Sequence, residues 1–245
     1  MQGMNMTKDN NKRNAVQQKL LAELQSLSEV KYKEFSEKLS PGVAMLGVRN
    51  PIVRKLAQKY LKHEDPALLL QPLPLDSAFE ERFCRAVFIA KIPMDVEKRL
   101  TLIKEFLPFI NGWAICDCLC SLLKECKTHM DEYYSFVKPL FLHHNKPFDM
   151  RFACVMALDY FAKDEYLDEV FELIEKVDTS EYYVHMGAAW AIATFYCKCN
   201  KDKVTKKLIS LKTDNKTYNK ALQKIRESYL PTEAEKEFIK TLKRK

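Results

Sequence analysis

The stretch DSAFEERFCRAVFIAKIPMDVEKRLTLIKEFLP, residues 76–108, contains two consecutive helical units. Behind Asp76, apolar side chains recur at Phe79, Phe83 and Val87, and the run stops before Pro93. Asp95 opens a second run through Leu100, Ile103 and Leu107 that ends before Pro108. Residues three and four apart share one side of an α-helix, so each run makes an apolar stripe on an otherwise polar cylinder. Proline lacks the amide proton that a continuing helix needs, and an aspartate suits the positive end of the helix dipole. The spacing therefore predicts two short helices with a sharp break between them.

The same pattern extends in both directions. Upstream, Val16, Leu20, Leu24 and Leu27 follow Asn14 at helical spacing, and a shorter helix runs through Tyr32, Phe35 and Leu39. Ser40-Pro41-Gly42 opens a loop reaching Gly47, after which Asn50-Pro51 reads as a cap followed by proline at the first helical position. Val53, Leu56, Ala57 and Tyr60 give that third helix its buried face. Downstream, helices are expected over Trp113–Leu123, Met130–Lys138, Asp149–Phe161 and Glu165–Val177, with a long one after Ser180 to about Cys197. The last three start near Asp202, Asp214 and Thr232, where Glu235 stands in capping-box position.

With only five glycines and no strand-like alternation bounded by turns, the expected class is all-α. A dozen or so helices of similar length suggest an α-solenoid of degenerate HEAT-like repeats, each of roughly 40 residues, rather than a bundle around one centre. Such arrays curve and present a concave face, expected here to be basic. Residues 1–13 read as a loose N-terminal extension and residues 14–245 as a single domain.

The net charge is +7, but residues 201–245 hold 14 Lys or Arg against 6 Asp or Glu, so the preceding 200 residues carry −1. Lys216, Lys220 and Lys224 share one helical face near Arg226. That patch would attract a polyanion, although a solvated face that aids solubility has the same composition. No apolar run approaches the roughly 20 residues that cross a bilayer, and the N-terminus is polar, so a cytoplasmic protein away from the membrane is expected. Cys116, Cys118 and Cys120 alternate, as do Cys197 and Cys199. Residues two apart on a helix diverge by roughly 200°, so these make poor chelates, and buried free thiols are expected among the eight cysteines. His143-His144 has no second ligand cluster and reads as surface. No Gly-rich phosphate loop, His-Glu-x-x-His motif or Gly-x-Ser-x-Gly elbow occurs, and neither metal nor cofactor is implied.

The chain has two tryptophans, Trp113 and Trp190, and Asp117 follows the first by four residues. On a helix that spacing places indole and carboxylate on one face, an arrangement suited to a cation. A core tryptophan with an aspartate near a helix end would have the same spacing.

Several segments in order resemble the AlkD-like family of DNA alkylation repair glycosylases, built from HEAT-like repeats. They are Leu46-Gly47-Val48-Arg49-Asn50-Pro51 with Arg54-Lys55-Leu56, Trp113 with Asp117, and Arg151-Phe152-Ala153. Glu181-Tyr182-Tyr183-Val184 leading to Gly187-Ala188-Ala189-Trp190-Ala191, and Asn219-Lys220-Ala221-Leu222-Gln223-Lys224-Ile225, complete the set, which spans roughly residues 15–243.

The resemblance implies a monofunctional, monomeric DNA N-glycosylase that hydrolyses the glycosidic bond of cationic alkylpurines, 3-methyladenine and 7-methylguanine, in double-stranded DNA without base flipping. It implies that Trp113 and Trp190 pack against the lesion's sugar and backbone, and that Asp117 stabilises the developing positive charge. Arg151 would hold a phosphate, Tyr32 would lie near the lesion, and Lys220 and Lys224 would contact phosphates without reading sequence. From sequence, a surface ion pair suits Arg151 equally, and packing suits Tyr32. One departure stands out: where family members often have an arginine three residues after the second tryptophan, this chain has Ala193. Two other functions fit the residues, a noncatalytic relative that binds branched or distorted DNA and a helical-repeat scaffold for protein partners.

Overall fold

The computed structural model describes residues 13–40 and 42–245. The expected loose extension falls on 1–13 and, apart from Arg13, lies outside the described residues. Among the described residues the chain is all-helical, with 14 α-helices and no strand. Backbone contacts divide it into two compact units that meet in sequence at Leu123 and Lys124.

The first unit contains α1 (Ala15–Ser26), α2 (Val30–Leu39), α3 (Asn50–His63), α4 (Pro66–Leu69), α5 (Phe79–Lys91), α6 (Val96–Phe106) and α7 (Trp113–Leu122). Helices two apart in sequence pack side by side: α3 lies on α5 and α5 on α7. This is the order of a helical-repeat array, in which each unit covers the apolar face of the next. Because α5 has neighbours on two sides it is buried nearly all round, with Phe83, Cys84, Ala86, Val87 and Ile89 at 1% exposure or less. Val53, Leu56, Ala57 and Tyr60 bury one stripe of α3, the four positions expected from spacing.

The second unit repeats the scheme with α8 (Met130–Val137), α9 (Pro147–Tyr160), α10 (Asp164–Ile174), α11 (Tyr182–Lys198), α12 (Lys201–Ser210), α13 (Asn215–Glu227) and α14 (Glu233–Thr241). Here α9, α11 and α13 pack in series, and α14 closes on α13. The caps are explicit. Asn14, Asn200, Asp214 and Thr232 each accept a first-turn amide, and Thr232 and Glu235 complete the expected capping box.

Several boundaries differ from the sequence reading, each for a local reason. α5 begins at Phe79 rather than Asp76, because the Glu81 carboxylate reaches back to the Ala78 N–H at 2.9 Å while Arg13 binds Glu81 at 2.8 Å and Asp76 at 3.3 Å. α3 begins at Asn50 with Arg49 as its cap residue, so Pro51 sits one position later than expected. α12 starts at Lys201, because Asn200 rather than an aspartate provides the cap. The one-turn helix α4, capped by Asp65, has no periodicity to announce it.

The loop before α3 is held by Gly47 and Glu80. Gly47 adopts φ +91°, and a Cβ there would meet Lys33 Cβ at 2.6 Å and the Glu29 carbonyl oxygen at 3.0 Å. Gly47→Ala is expected to lower stability by about 2 to 4 kcal/mol, from the left-handed backbone and the forced overlap together. The check is a lower urea midpoint at unchanged slope.

Candidate functional site

Trp113 is the first residue of α7, and Gly112 precedes it as cap. Any side chain at Gly112 would come within 3.0 Å of the Phe79 ring, so the turn that presents Trp113 closes directly on α5. Ile115, Cys116, Cys118, Leu119 and Cys120 are buried, whereas Trp113, Asp117 and Ser121, at four-residue spacing, form a stripe that reaches the surface, with Ala114 and Leu122 partly exposed beside it. Trp113 is 55% exposed. It is therefore not a core tryptophan, the simplest alternative that the sequence left open. Beside Asp117, burial raises the Cys118 thiol pKa, and the Arg54 guanidinium, which reaches its sulfur at 3.6 Å, offsets only part of that rise.

Tyr32 of α2 and Trp113 line one recess of about 100 Å³, together with Phe35, Leu39, Met45 and Phe79. α2 buries none of its residues fully, and Phe35 and Leu39 are 57% and 65% exposed, so the wall they form is apolar and accessible. Tyr32 also meets a cation: Arg49 lies 4.8 Å from its ring centroid and grips Glu29 with two nitrogens at 2.9 and 3.0 Å. The arginine that caps α3 thus fixes an aromatic residue on α2.

The remaining expected residues belong to the second unit. Trp190 on α11 is 38% exposed, and the Lys224 ammonium of α13 stands 5.8 Å over its ring. Both line a recess of about 280 Å³ that also contains Ala193 and Thr194. A positive charge therefore stands near Ala193, supplied by Lys224 from the neighbouring helix. Burial lowers the Lys224 pKa, with Lys220 and Arg151 pushing the same way and Glu227 opposing. A lysine in this condition gains from an anionic partner.

Arg151 on α9 is 5% exposed and donates to the Tyr183 carbonyl at 2.8 Å, so it is an interior group. Close approach at Gly187, whose Cβ would lie 3.5 Å from Arg151 Cγ, presses α11 onto it. Lys220 donates to Gln223 Oε1 at 2.9 Å and faces a different recess from Lys224. The structure thus pairs Tyr32 with Trp113 in one unit and Trp190 with Lys224 in the other.

Three features escaped the sequence reading. His143 is no isolated surface histidine, for its Nδ1 meets the buried Asp149 carboxylate at 2.9 Å. Glu80, 2% exposed, accepts the Leu46, Gly47 and Val48 amides. Lys240 and Lys243 join Lys216, Lys220 and Arg226 around one groove. The last two have no local signature, because each depends on which segments meet, whereas His143 and Asp149 are only six residues apart. The cysteines are free thiols, seven of them buried, with burial raising Cys126 to about 12 and Cys199 to about 11. Among the described residues no three His, Cys, Asp or Glu side chains gather to hold a metal, and no helix is long and apolar enough to cross a membrane.

No curated protein sequence matches the chain. A family model does, described as DNA alkylation repair enzyme and covering residues 20–227, which include Tyr32, both tryptophans, Asp117, Arg151 and both lysines. With a repeat array of helices, two exposed indoles and that match over most of its length, the chain belongs to the DNA alkylation repair enzyme family.

Proposed function

We propose that the protein is a monofunctional DNA glycosylase that releases cationic alkylpurines from duplex DNA without base flipping. The observation that carries this reading is the surface stripe of α7, an indole 55% exposed with a carboxylate one turn away. An N3- or N7-alkylated purine is already positively charged, so it leaves as a neutral base without prior protonation. As the glycosidic bond breaks, its electron pair goes to the base, and positive charge grows on the deoxyribose. Asp117 stabilises that charge and orients the water that adds to the anomeric carbon, losing one proton to solvent. The Trp113 face stabilises the same cation through its quadrupole.

Trp190 plays the matching part in the second unit, Lys224 holds a phosphate with the buried Arg151 adding positive charge nearby, and Tyr32 borders the lesion. The chain acts as a monomer on double-stranded DNA, with residues 14–245 as its working domain. One observation favours a second reading, that of a noncatalytic binder of distorted DNA: Lys224 already occupies a face of Trp190. One assay separates the two. Methylated duplex is incubated with the protein, and free 3-methyladenine and 7-methylguanine are measured. Release above the spontaneous rate is expected, whereas duplex binding with no release would leave the binder.

A further inference from the structure

We infer that the groove between α13 and α14 is a second phosphate track, which grips the backbone of undamaged duplex apart from the recess around Trp190. This rests on the reading of DNA as the ligand and adds where, and with what selectivity, it is held. The groove encloses about 600 Å³, and five cations face it: Lys216, Lys220 and Arg226 from α13, with Lys240 and Lys243 from the C-terminal segment. No carboxylate is among its lining residues, and among the described residues only Lys240 of the five has an acidic ion-pair partner, Glu237, which lies outside the lining. Like charges gathered around one groove repel, and an anion among them offsets that repulsion.

The groove is built rather than incidental. Asn219 donates to the Arg244 carbonyl at 2.8 Å and accepts the Arg244 N–H at 2.9 Å. Arg244 in turn lies 3.5 Å over the Tyr218 ring and donates to the Thr213 carbonyl at 3.2 Å. These contacts pin the last residues of the chain to α13 and keep the neighbouring Lys243 on the groove wall. At its floor, the buried His185 is hydrogen-bonded to Thr217 at 2.8 Å. Burial and then Lys216 lower its pKa, with Lys220 and Lys224 adding to the effect and Asp214 opposing it.

Five cations without base-reading geometry suit a phosphodiester backbone, whose charges repeat along the groove. Amides at Asn219 and Gln223 add neutral donors of the kind that position a duplex without specifying sequence. Such a track would hold the protein on intact DNA, a binding mode whose strength depends steeply on salt.

The test is binding of an unmodified duplex across a salt series by wild type and by the triple variant Arg226→Ala/Lys240→Ala/Lys243→Ala. A control variant, Lys91→Ala/Lys98→Ala/Lys104→Ala, removes the same net charge from α5 and α6, and circular dichroism confirms that each is folded. Loss of three phosphate contacts should flatten the slope of log affinity against log salt by about 2 to 3 and weaken binding roughly 10- to 100-fold at low salt. The control should keep the wild-type slope. Equal slopes for wild type and the groove variant, or equal flattening in the control, would overturn the track while leaving DNA binding intact. If wild type binds no duplex at all, the DNA reading itself fails. Pyrophosphate titration completes the test: saturable pyrophosphate binding lost in the groove variant, with duplex binding unchanged, would make the groove a site for a small phosphate and overturn the polynucleotide partner.

Discussion

Asp117→Asn is expected to release 3-methyladenine and 7-methylguanine at least about 100-fold more slowly than wild type in single-turnover assays, with duplex affinity nearly unchanged. The substitution keeps the shape of the side chain and removes its charge. A preorganised group facing the charge that develops in a transition state contributes roughly 3 to 4 kcal/mol, or about 100- to 1,000-fold in rate. Affinity for DNA is set instead by cations that meet phosphates, none of which is altered. A residual rate is expected, because the lesion's own charge weakens its bond and Trp113 remains. Trp113→Ala should lose rate and lesion affinity together, since an indole that packs on the sugar contributes before and during bond breaking. Unimpaired release by Asp117→Asn would remove the carboxylate from the mechanism.

The parts of the fold that could be read from the residues are those governed by near neighbours in sequence. Val53, Leu56, Ala57 and Tyr60 are buried because helix geometry alone puts them on one side, and Thr232 caps α14 because its partner Glu235 is three residues away. The Trp113 and Asp117 stripe was legible for the same reason, although its exposure was not: spacing fixes which residues share a face, not whether that face is covered. Where a distant group intervenes, local reading fails. Asp76 looks like a cap, yet Arg13, 68 residues from Glu81, binds both acids, and α5 starts three residues later at Phe79. The groove cations were half legible. Lys216 and Lys220 recur at four-residue spacing, whereas Lys240 and Lys243 reach them only because α14 folds back on α13 and Asn219 ties down the chain end. That Lys224 stands over Trp190 was not legible either, because it depends on α13 packing against α11.

Glu80→Leu is expected to destabilise the protein by about 3 to 5 kcal/mol, a large part of the roughly 5 to 15 kcal/mol that holds a typical domain folded. Glu80 is 2% exposed, and its oxygens accept the N–H groups of Leu46, Gly47 and Val48 at 2.9, 2.8 and 3.1 Å. It also stands in the first turn of α5, where the helix dipole favours a negative charge. Leucine fills similar space but leaves three amide donors without an acceptor, and each such buried donor costs about 1 to 3 kcal/mol, not strictly additively. Glu80→Gln should fall between, because its single amide oxygen can serve Gly47 and Val48 while its NH2 group faces the Leu46 N–H. The damage should be local before it is global: hydrogen exchange at Leu46, Gly47 and Val48 should quicken far more than at Val53 or Leu56 on α3. That loop carries Met45 and Val48, which line the recess containing Tyr32 and Trp113. Glu80→Gln should therefore weaken lesion binding as well as stability, because residue 80 borders that recess itself and also holds the loop that lines it. Unchanged exchange at the three amides would show that the carboxylate does not hold the loop.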